Sequence, residues 1–581
     1  MTVRIFYDGE CPFCTKYVTV LRLRDAVGAV ELVDLRGDPD ARARFAEKGL
    51  DTDKGMIVET PGKVLHGADA MNALSMMSTG SGVLNAAAAL IFRHRLLALI
   101  LYPLLRAGRN VTLFILGREP MRSRDPGEAA LFEIFARFLG VLAVLHALIY
   151  VFRYSALDVQ LTTPVLLICG LGLILAPHSR RLFVAIVIVF AVDGVLQAPL
   201  NSNHTILKNF LILTIILAGA WHMLRGSGWD RFFRDFRPVG QMLLLIMYTF
   251  GIFHKINTDF LNPETSCAVA LWREMPPPLV WIDNAPMHYL AIYGTFIAEG
   301  AIMLMLILPR WRHLGICAGI GFHSMLALSG YAMYPAFSTL SIVLHTLFIS
   351  PAGALQIKKS STWQYFESRL KSPAGVFFLF VAVIMIALLA LLRDYNMVAY
   401  VWLLMMAWPL TIIALKGQPP AMESAQGRFL WSPLIGLNAI AVLFFLNSVG
   451  PYMGLKTAQA MNMFANLRLE GGVSNHLVFT GAPGPFNYLE DLVTVHDAAG
   501  SPGLERVAQR DDVAFVYYHF LSILASQEPD AKVAYVRGGV EYPLTSASSI
   551  LARDGDILHS EWVRKFFHFR TVNLALPLPC E

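Results

Sequence analysis

From residue 129 onward the chain is a succession of apolar runs separated by short polar links. A membrane-crossing helix needs roughly 20 mostly apolar residues. Eleven runs have that character, near 129–152, 160–177, 182–199, 204–223, 238–255, 286–308, 314–331, 333–350, 373–392, 396–415 and 431–450. They predict a polytopic, all-α transmembrane bundle of about 9–11 helices over 129–450. Residues 1–120 read differently. "VRIFYD" is a short strand, "GECPFC" a turn and "TKYVTVLRLRD" helix-like. "VELVDLR" is a second strand and "DPDARARFAEKG" a polar helix ending on glycine. "GMIVETPGKVLHG" is a hairpin and "ADAMNALSMMS" a helix. The alternation predicts a small thioredoxin-like α/β domain. The helix that follows, "HRLLALILYPLLRAGRNVTLFILG", is apolar but interrupted by arginines. It either packs on that domain or lies on the membrane surface. Residues 451–581 carry turns ("TGAPGPF", "AAGSPG") and strand-like runs ("DVAFVYYHF", "AKVAYVRGG"). They predict a mixed, largely β domain, so the chain is multidomain, with neither repeats nor low-complexity segments.

Composition sharpens this picture. Of 581 residues, 55% are hydrophobic and only 15% charged, against about 25% in soluble globular chains. The bilayer is the expected partner. A net charge of +5 without a basic block argues against nucleic acid. The first apolar stretch is a strand rather than a signal-peptide core, so the N-terminus is expected in the cytoplasm. Numbering the links alternately from there puts Arg122, Arg124, Arg180, Arg181, Arg225, Arg231, Arg234, Arg237, Arg310, Arg312, Lys358, Lys359, Arg369, Lys371, Lys416 and Arg428 inside. Only Arg153, Arg273 and Arg393 fall outside. By the positive-inside rule this predicts an integral protein of bacterial inner-membrane type, with a cytoplasmic N-terminus and an extracytoplasmic C-terminus.

Six cysteines are present. Cys11 and Cys14 form a C-x-x-C, whereas Cys169, Cys267, Cys317 and Cys580 are scattered. A zinc site would want a second close pair, so no metal is expected. In a strand–turn–helix context Cys11 sits at a helix N-terminus. The helix dipole favours its thiolate and makes it the nucleophile, with Cys14 as the resolving thiol. The pair is expected to cycle between dithiol and disulfide at the expense of a cytoplasmic thiol reductant. Asp8 either accepts a proton or shapes the turn with Gly9. Cys267 and Cys580 fall on the oxidising side, where a structural disulfide between them is one of the open readings.

Ionisable residues inside spans are costly and mark function by default. Here they are Asp193, His204, Lys208, His254, Lys255, Glu299, His323 and His345. The topology brings His204, Lys255 and His323 towards the outer face. Each has a plainer reading: a lysine at a span end snorkels, and a lone histidine bonds a neighbouring helix. Asp193 and Glu299 either orient a His or Lys or pair with one structurally. Lys208, one turn from His204 on the same face, either extends the polar surface or pairs with Asp193.

Two resemblances follow from these residues. "NSNHTIL", "FHKINTDFLN" and "GFHSMLALSGYAMYPAFSTL" together resemble the vitamin K-dependent γ-carboxylases and the broader HTTM (horizontally transferred transmembrane) group, over roughly 130–480. The resemblance implies Lys255 as the base in hydroquinone oxygenation and His204 as its assistant, with Asn203 beside it and His323 lining the pocket. It implies vitamin K hydroquinone or a menaquinone-like quinone as cofactor, and a protein or peptide substrate at the outer face. The chain departs from the family pattern at His254, Asn257, Phe260 and Leu326, and a propeptide-binding region has no match. Quinone chemistry is therefore the expectation, ahead of glutamate carboxylation. "FYDGECPFC", "VELVDLR" and "GKVLHGADAM" resemble the DCC family of thioredoxin-like thiol–disulfide oxidoreductases over about 1–115. The usual cis-proline has no counterpart near "DKGMIVET". The expected function is a membrane redox enzyme: a thiol–disulfide oxidoreductase joined to a γ-carboxylase-like membrane domain that uses Lys255 and His204 as acid–base groups on a quinone-like lipid. Asp8, Asn203, His323, Glu299 and Asp193 are the expected substrate contacts. The alternative is a non-catalytic scaffold or transporter carrying the thiol domain.

Overall fold

The structure, a computed structural model, describes residues 2–20, 29–77, 94–116, 118, 121, 125–154, 157–198, 202–225, 228–418, 430–578 and 580. Arg122, Arg124 and Arg428 lie outside that set. The chain divides into two compact units. One comprises residues 1–129 with 179–184 and 215–236, and the other 130–178, 185–214 and 237–581.

In the first unit, strands β1 (Thr2–Tyr7), β2 (Ala29–Asp34), β3 (Ile57–Thr60) and β4 (Lys63–His66) form a mixed sheet in the order β2-β1-β3-β4. β1 and β2 are parallel, with Ile5 opposite Leu32. β1–β3 and β3–β4 are antiparallel. The period-two alternation of β1 divides its side chains between two cores. Val3 and Ile5 pack with Val18, Ala70 and Leu74 from the helices Pro12–Val20 and Ala68–Met77. Phe6 packs with Phe45 from the helix Pro39–Glu47, and with Leu35 and Ile57. The arginine-interrupted segment is a helix, Arg95–Ile115, and of its two readings packing on the small domain holds. Tyr102 joins the first core, and its hydroxyl donates to the Lys54 carbonyl at 3.1 Å.

The expectation of about eleven spans needs correction. Among the described residues, six helices are long and apolar enough to cross a membrane: Pro126–Ile149, Asn203–Arg225, Arg231–Phe253, Ala285–Ile307, Pro373–Leu391 and Tyr395–Lys416. A seventh is reached if Tyr334–Thr346 and Pro351–Lys359 count as one span bent by 109°. The reasons are local. Ser350 caps a new helix, accepting from Gly353 N, with Pro351 at its first position, so the run 333–350 turns a corner. The run 314–331 stops at Ala327, and 431–450 yields only Ile435–Val449. Helix Arg180–Gln197 opens on two arginines and buries Asp193.

At the C-terminal end, β5 (Leu492–Ala499), β6 (Val513–Val516), β7 (Lys532–Arg537), β8 (Val540–Ser546) and β9 (Val572–Asn573) form an antiparallel sheet in the order β8-β7-β5-β6-β9. "DVAFVYYHF" is not one strand. It leaves β6 and becomes the helix Tyr517–Leu524. Tyr517, Phe520, Leu521 and Leu524 are buried, at the i, i+3, i+4, i+7 spacing of a helix face. Cys267 and Cys580 are joined by a disulfide. Beside it, Asp259 Oδ2 accepts from Leu578 N at 2.8 Å and Asn475 Nδ2 at 2.9 Å, tying the chain end to the loop after Phe253.

Candidate functional site

In the first unit, the turn between β1 and the helix Pro12–Val20 carries both thiols. Two anchors hold it. Asp8 is clasped by Arg36 Nε at 2.6 Å and Arg109 at 2.7 Å. Gly9 N donates to Asp34 Oδ1 at 2.9 Å, and a side chain on Gly9 would strike that carboxylate, 2.1 Å from its Oδ2. Burial pushes Asp8 up, but the Arg36 hydrogen bond and the Arg109 charge outweigh it and hold the carboxyl below its usual range. Asp8 is therefore a fixed anion in the turn rather than a proton acceptor at neutral pH.

Both cysteines are thiols, Cys11 buried and Cys14 partly exposed. Cys14 N donates to Cys11 Sγ at 3.1 Å. The Cys14 thiol, then its backbone amide and the Arg109 guanidinium, outweigh burial and hold Cys11 down to about 6, while the same pairing and burial push Cys14 up. The thiolate therefore resides on Cys11. Access and charge are divided: the charged sulfur has 0% of its residue exposed, so an incoming disulfide requires the turn to open. Arg109 was not among the sequence candidates. Its signal was the arginine breaking the apolar helix pattern.

In the second unit a cavity of about 90 Å³ is lined by Asn203, His204, Lys255, Glu299 and His323 together. Lys255 Nζ donates to Glu299 Oε1 at 2.7 Å. Glu299 Oε2 and His323 Nδ1 are buried without a hydrogen-bond partner among the described residues. A side chain on Gly251 would come within 3.3 Å of that Oε2. Aromatic walls come from Phe260, Phe337, Tyr334 and Phe464. The last belongs to a segment after the final apolar helix, where Gln459, Met461, Phe464 and Asn466 all have positive φ, a conformation costly for residues with side chains. Asn203 Oδ1 accepts from Met461 N at 2.8 Å, and so helps set this wall.

Other predicted residues lie elsewhere. Asp193 does not line the cavity. Its Oδ2 accepts from Lys208 Nζ at 2.8 Å and lies 2.9 Å from His146 Nε2, and its Oδ1 accepts from Gln197 at 2.7 Å. Lys208 thus pairs with Asp193. His254 stacks on Tyr452 and bonds its hydroxyl and the Ala460 carbonyl, both at 2.9 Å. The described residues hold no cluster of three or more His, Cys, Asp or Glu placed to bind a metal.

A strand–turn–helix with a thiolate at the helix start and a second thiol one turn on defines a thiol–disulfide oxidoreductase-like domain. Residues 5–114 match the family model described as DCC1-like thiol-disulfide oxidoreductase. No curated protein and no solved structure matches the chain.

Proposed function

We propose that this is an integral membrane protein whose first unit, read as a thioredoxin-like fold, catalyses thiol–disulfide exchange. The observation that carries the reading is the geometry of the turn: Cys11 and Cys14 stand at the start of the helix Pro12–Val20, Cys14 N donates to Cys11 Sγ at 3.1 Å, and Arg109 is fixed on Asp8 in the same turn. Cys11 attacks one sulfur of a substrate disulfide, and the other sulfur leaves as a thiolate. Cys14 then attacks Cys11 Sγ and releases the second thiol, leaving Cys11–Cys14 oxidised until a cytoplasmic thiol reductant restores it. Six spans would leave both termini on one side and seven on opposite sides, so the cytoplasmic N-terminus and extracytoplasmic C-terminus are proposed on the Cys267–Cys580 disulfide, which suits an oxidising face, opposite the reducible Cys11–Cys14 pair. The test is trapping in lipid nanodiscs. Cys14→Ser should accumulate a mixed disulfide with a model disulfide substrate and Cys11→Ser should not. Equal trapping by both would refute the assignment.

The cavity favours a second activity alongside the first. Its buried acceptors, Glu299 Oε2 and His323 Nδ1, need a ligand that donates hydrogen bonds, and its walls are aromatic. A hydroquinone headgroup fits that donor demand, whereas an oxidised quinone brings only acceptors. A bound hydroquinone of the vitamin K or menaquinone type would supply redox chemistry there. Lys255 and Glu299 would orient one hydroxyl, and His204 and Asn203 would bound the ring. The proposal extends to the hydroquinone and not to glutamate carboxylation. Anaerobic titration with reduced and oxidised menadione tests it. Tighter binding of the reduced form supports the reading, and equal or reversed preference refutes it in favour of a scaffold or transporter. A protein or peptide substrate at the outer face would be sought only after hydroquinone binding.

A further inference from the structure

Behind the cavity three side chains form a hydrogen-bonded row with one polarity. His345 Nδ1 lies 2.6 Å from the Ser341 carbonyl. A carbonyl oxygen only accepts, so this nitrogen carries the proton, and in the neutral ring Nε2 is then an acceptor. The Tyr248 hydroxyl lies 3.2 Å from His345 Nε2 and 2.9 Å from His323 Nε2. It has one proton, and His345 has none to offer in return. Giving that proton to His323 would leave two buried ring nitrogens unsatisfied, His345 Nε2 and His323 Nδ1–H, whereas giving it to His345, with the Tyr248 oxygen accepting from His323 Nε2–H, leaves one. That leaves His323 Nδ1 as the bare nitrogen, buried and without a hydrogen-bond partner among the described residues, on a residue that lines the cavity. The end of the row cannot reverse, because it is a backbone carbonyl. The ring of His345 fits only because residue 319 is glycine: a Cβ there would lie 2.0 Å from His345 Nε2.

We infer that His323, rather than Lys255, takes the proton of a hydroxyl bound in the cavity, with Tyr248 and His345 as positioning residues that keep its Nδ1 unprotonated. The inference rests on reading the cavity as a site for a hydroxylated ring. In the step, the ligand O–H bond breaks, its electron pair stays on oxygen, and the proton forms an N–H bond at His323 Nδ1. Lys255 is already committed as a donor to Glu299 Oε1, and it acts as the cation facing the oxygen that becomes negative.

Two measurements test this on the full chain in nanodiscs. The first uses ¹⁵N-histidine NMR without ligand. The His323 signals, assigned by their loss in His323→Gln, should show Nδ1 unprotonated and Nε2 protonated, and Tyr248→Phe should mix the two tautomers. A protonated Nδ1 in the wild type overturns the polarity. The second compares anaerobic binding of reduced menadione with its dimethyl ether, which cannot donate. The wild type should prefer the hydroquinone by about tenfold, the order that one hydrogen bond supplies. His323→Gln, which keeps the Tyr248 bond but offers no acceptor at the Nδ1 position, should abolish the preference. His323→Asn, whose amide reaches that position, should restore it. Preference lost in Lys255→Met and kept in His323→Gln overturns the inference. If neither compound binds, the hydroxylated-ring reading falls and the acceptor role falls with it, while the nitrogen spectra still decide the polarity of the row.

Discussion

Replacing Cys14 by alanine removes the thiol that donates to Cys11 Sγ and leaves the backbone amide in place. A hydrogen bond to a charged group contributes ~1.5–3 kcal/mol, which is roughly one to two pKa units. The Cys11 thiol, at about 6 in the wild type, should therefore titrate between about 7 and 8 in the variant. The sign is fixed by what is removed: a partner of the thiolate is lost, so the neutral thiol gains ground. A rate at one pH would mislead. At pH 6.5 a one-unit rise cuts the thiolate fraction about threefold, while the more basic thiolate is about threefold more nucleophilic, and the two nearly cancel. The midpoint of the whole profile is the readout. The assay is iodoacetamide modification of full-length protein from acid to alkaline pH, following the Cys11 peptide by mass spectrometry. Burial of Cys11 scales the rate at every pH and leaves the midpoint unmoved. Cys14→Ser, which retains an O–H donor, should move less than Cys14→Ala. A wild-type midpoint near that of a free cysteine, about 8.5, or an identical midpoint in Cys14→Ala, would refute the thiolate assignment.

Other outcomes follow from the packing. Arg109→Gln should raise the Cys11 midpoint as well, and should free Asp8 from one of its two arginines; an unchanged profile would remove Arg109 from the site. Lys255→Met strands the buried Glu299 carboxylate and should cost ~3–5 kcal/mol, most of it recovered in Lys255→Met/Glu299→Leu; denaturation in detergent reads both. Gly319→Ala forces a Cβ against the His345 ring and should lose ~1–3 kcal/mol as overpacking does, seen as a lower Tm. Cys580→Ser should abolish the mobility difference between reduced and nonreduced wild-type protein that the Cys267–Cys580 bridge produces.

The strand and helix order of the first unit was legible because each element carried its own period and its own stop signal. Val3 and Ile5 alternate against Phe6, and Gly62, at φ 87° in the hairpin turn, sits where only a residue without a side chain is relaxed. The span count was less legible, since hydropathy measures how apolar a run is and not whether its helix stays straight. Nothing in the greasiness of 333–350 announces the 109° turn. The Ser350–Pro351 pair does, but only when read as a cap within an apolar run. "DVAFVYYHF" misled for a related reason. A short apolar run that ends a strand and begins a helix satisfies both periods, and tertiary burial of Tyr517 and Phe520 settles which one holds.

Ionisable residues were easy to list and hard to sort, because cost in a bilayer is common to a catalytic group and to a structural pair. The structure sorts them by what remains unsatisfied. Asp193 has donors on both oxygens from Lys208, His146 and Gln197, so its charge is consumed within the helix bundle. Glu299 spends one oxygen on Lys255 and, among the described residues, keeps the other without a partner at the cavity wall. Both are a single acid beside a single lysine in sequence, 15 residues from Lys208 in one case and 44 from Lys255 in the other. Sequence spacing could not separate them; the count of donors around each carboxylate does. The same count explains why Tyr248 was missed. An aromatic in an apolar helix is ordinary packing by composition, and only the two histidine nitrogens converging on its hydroxyl turn it into the link that gives the row its direction.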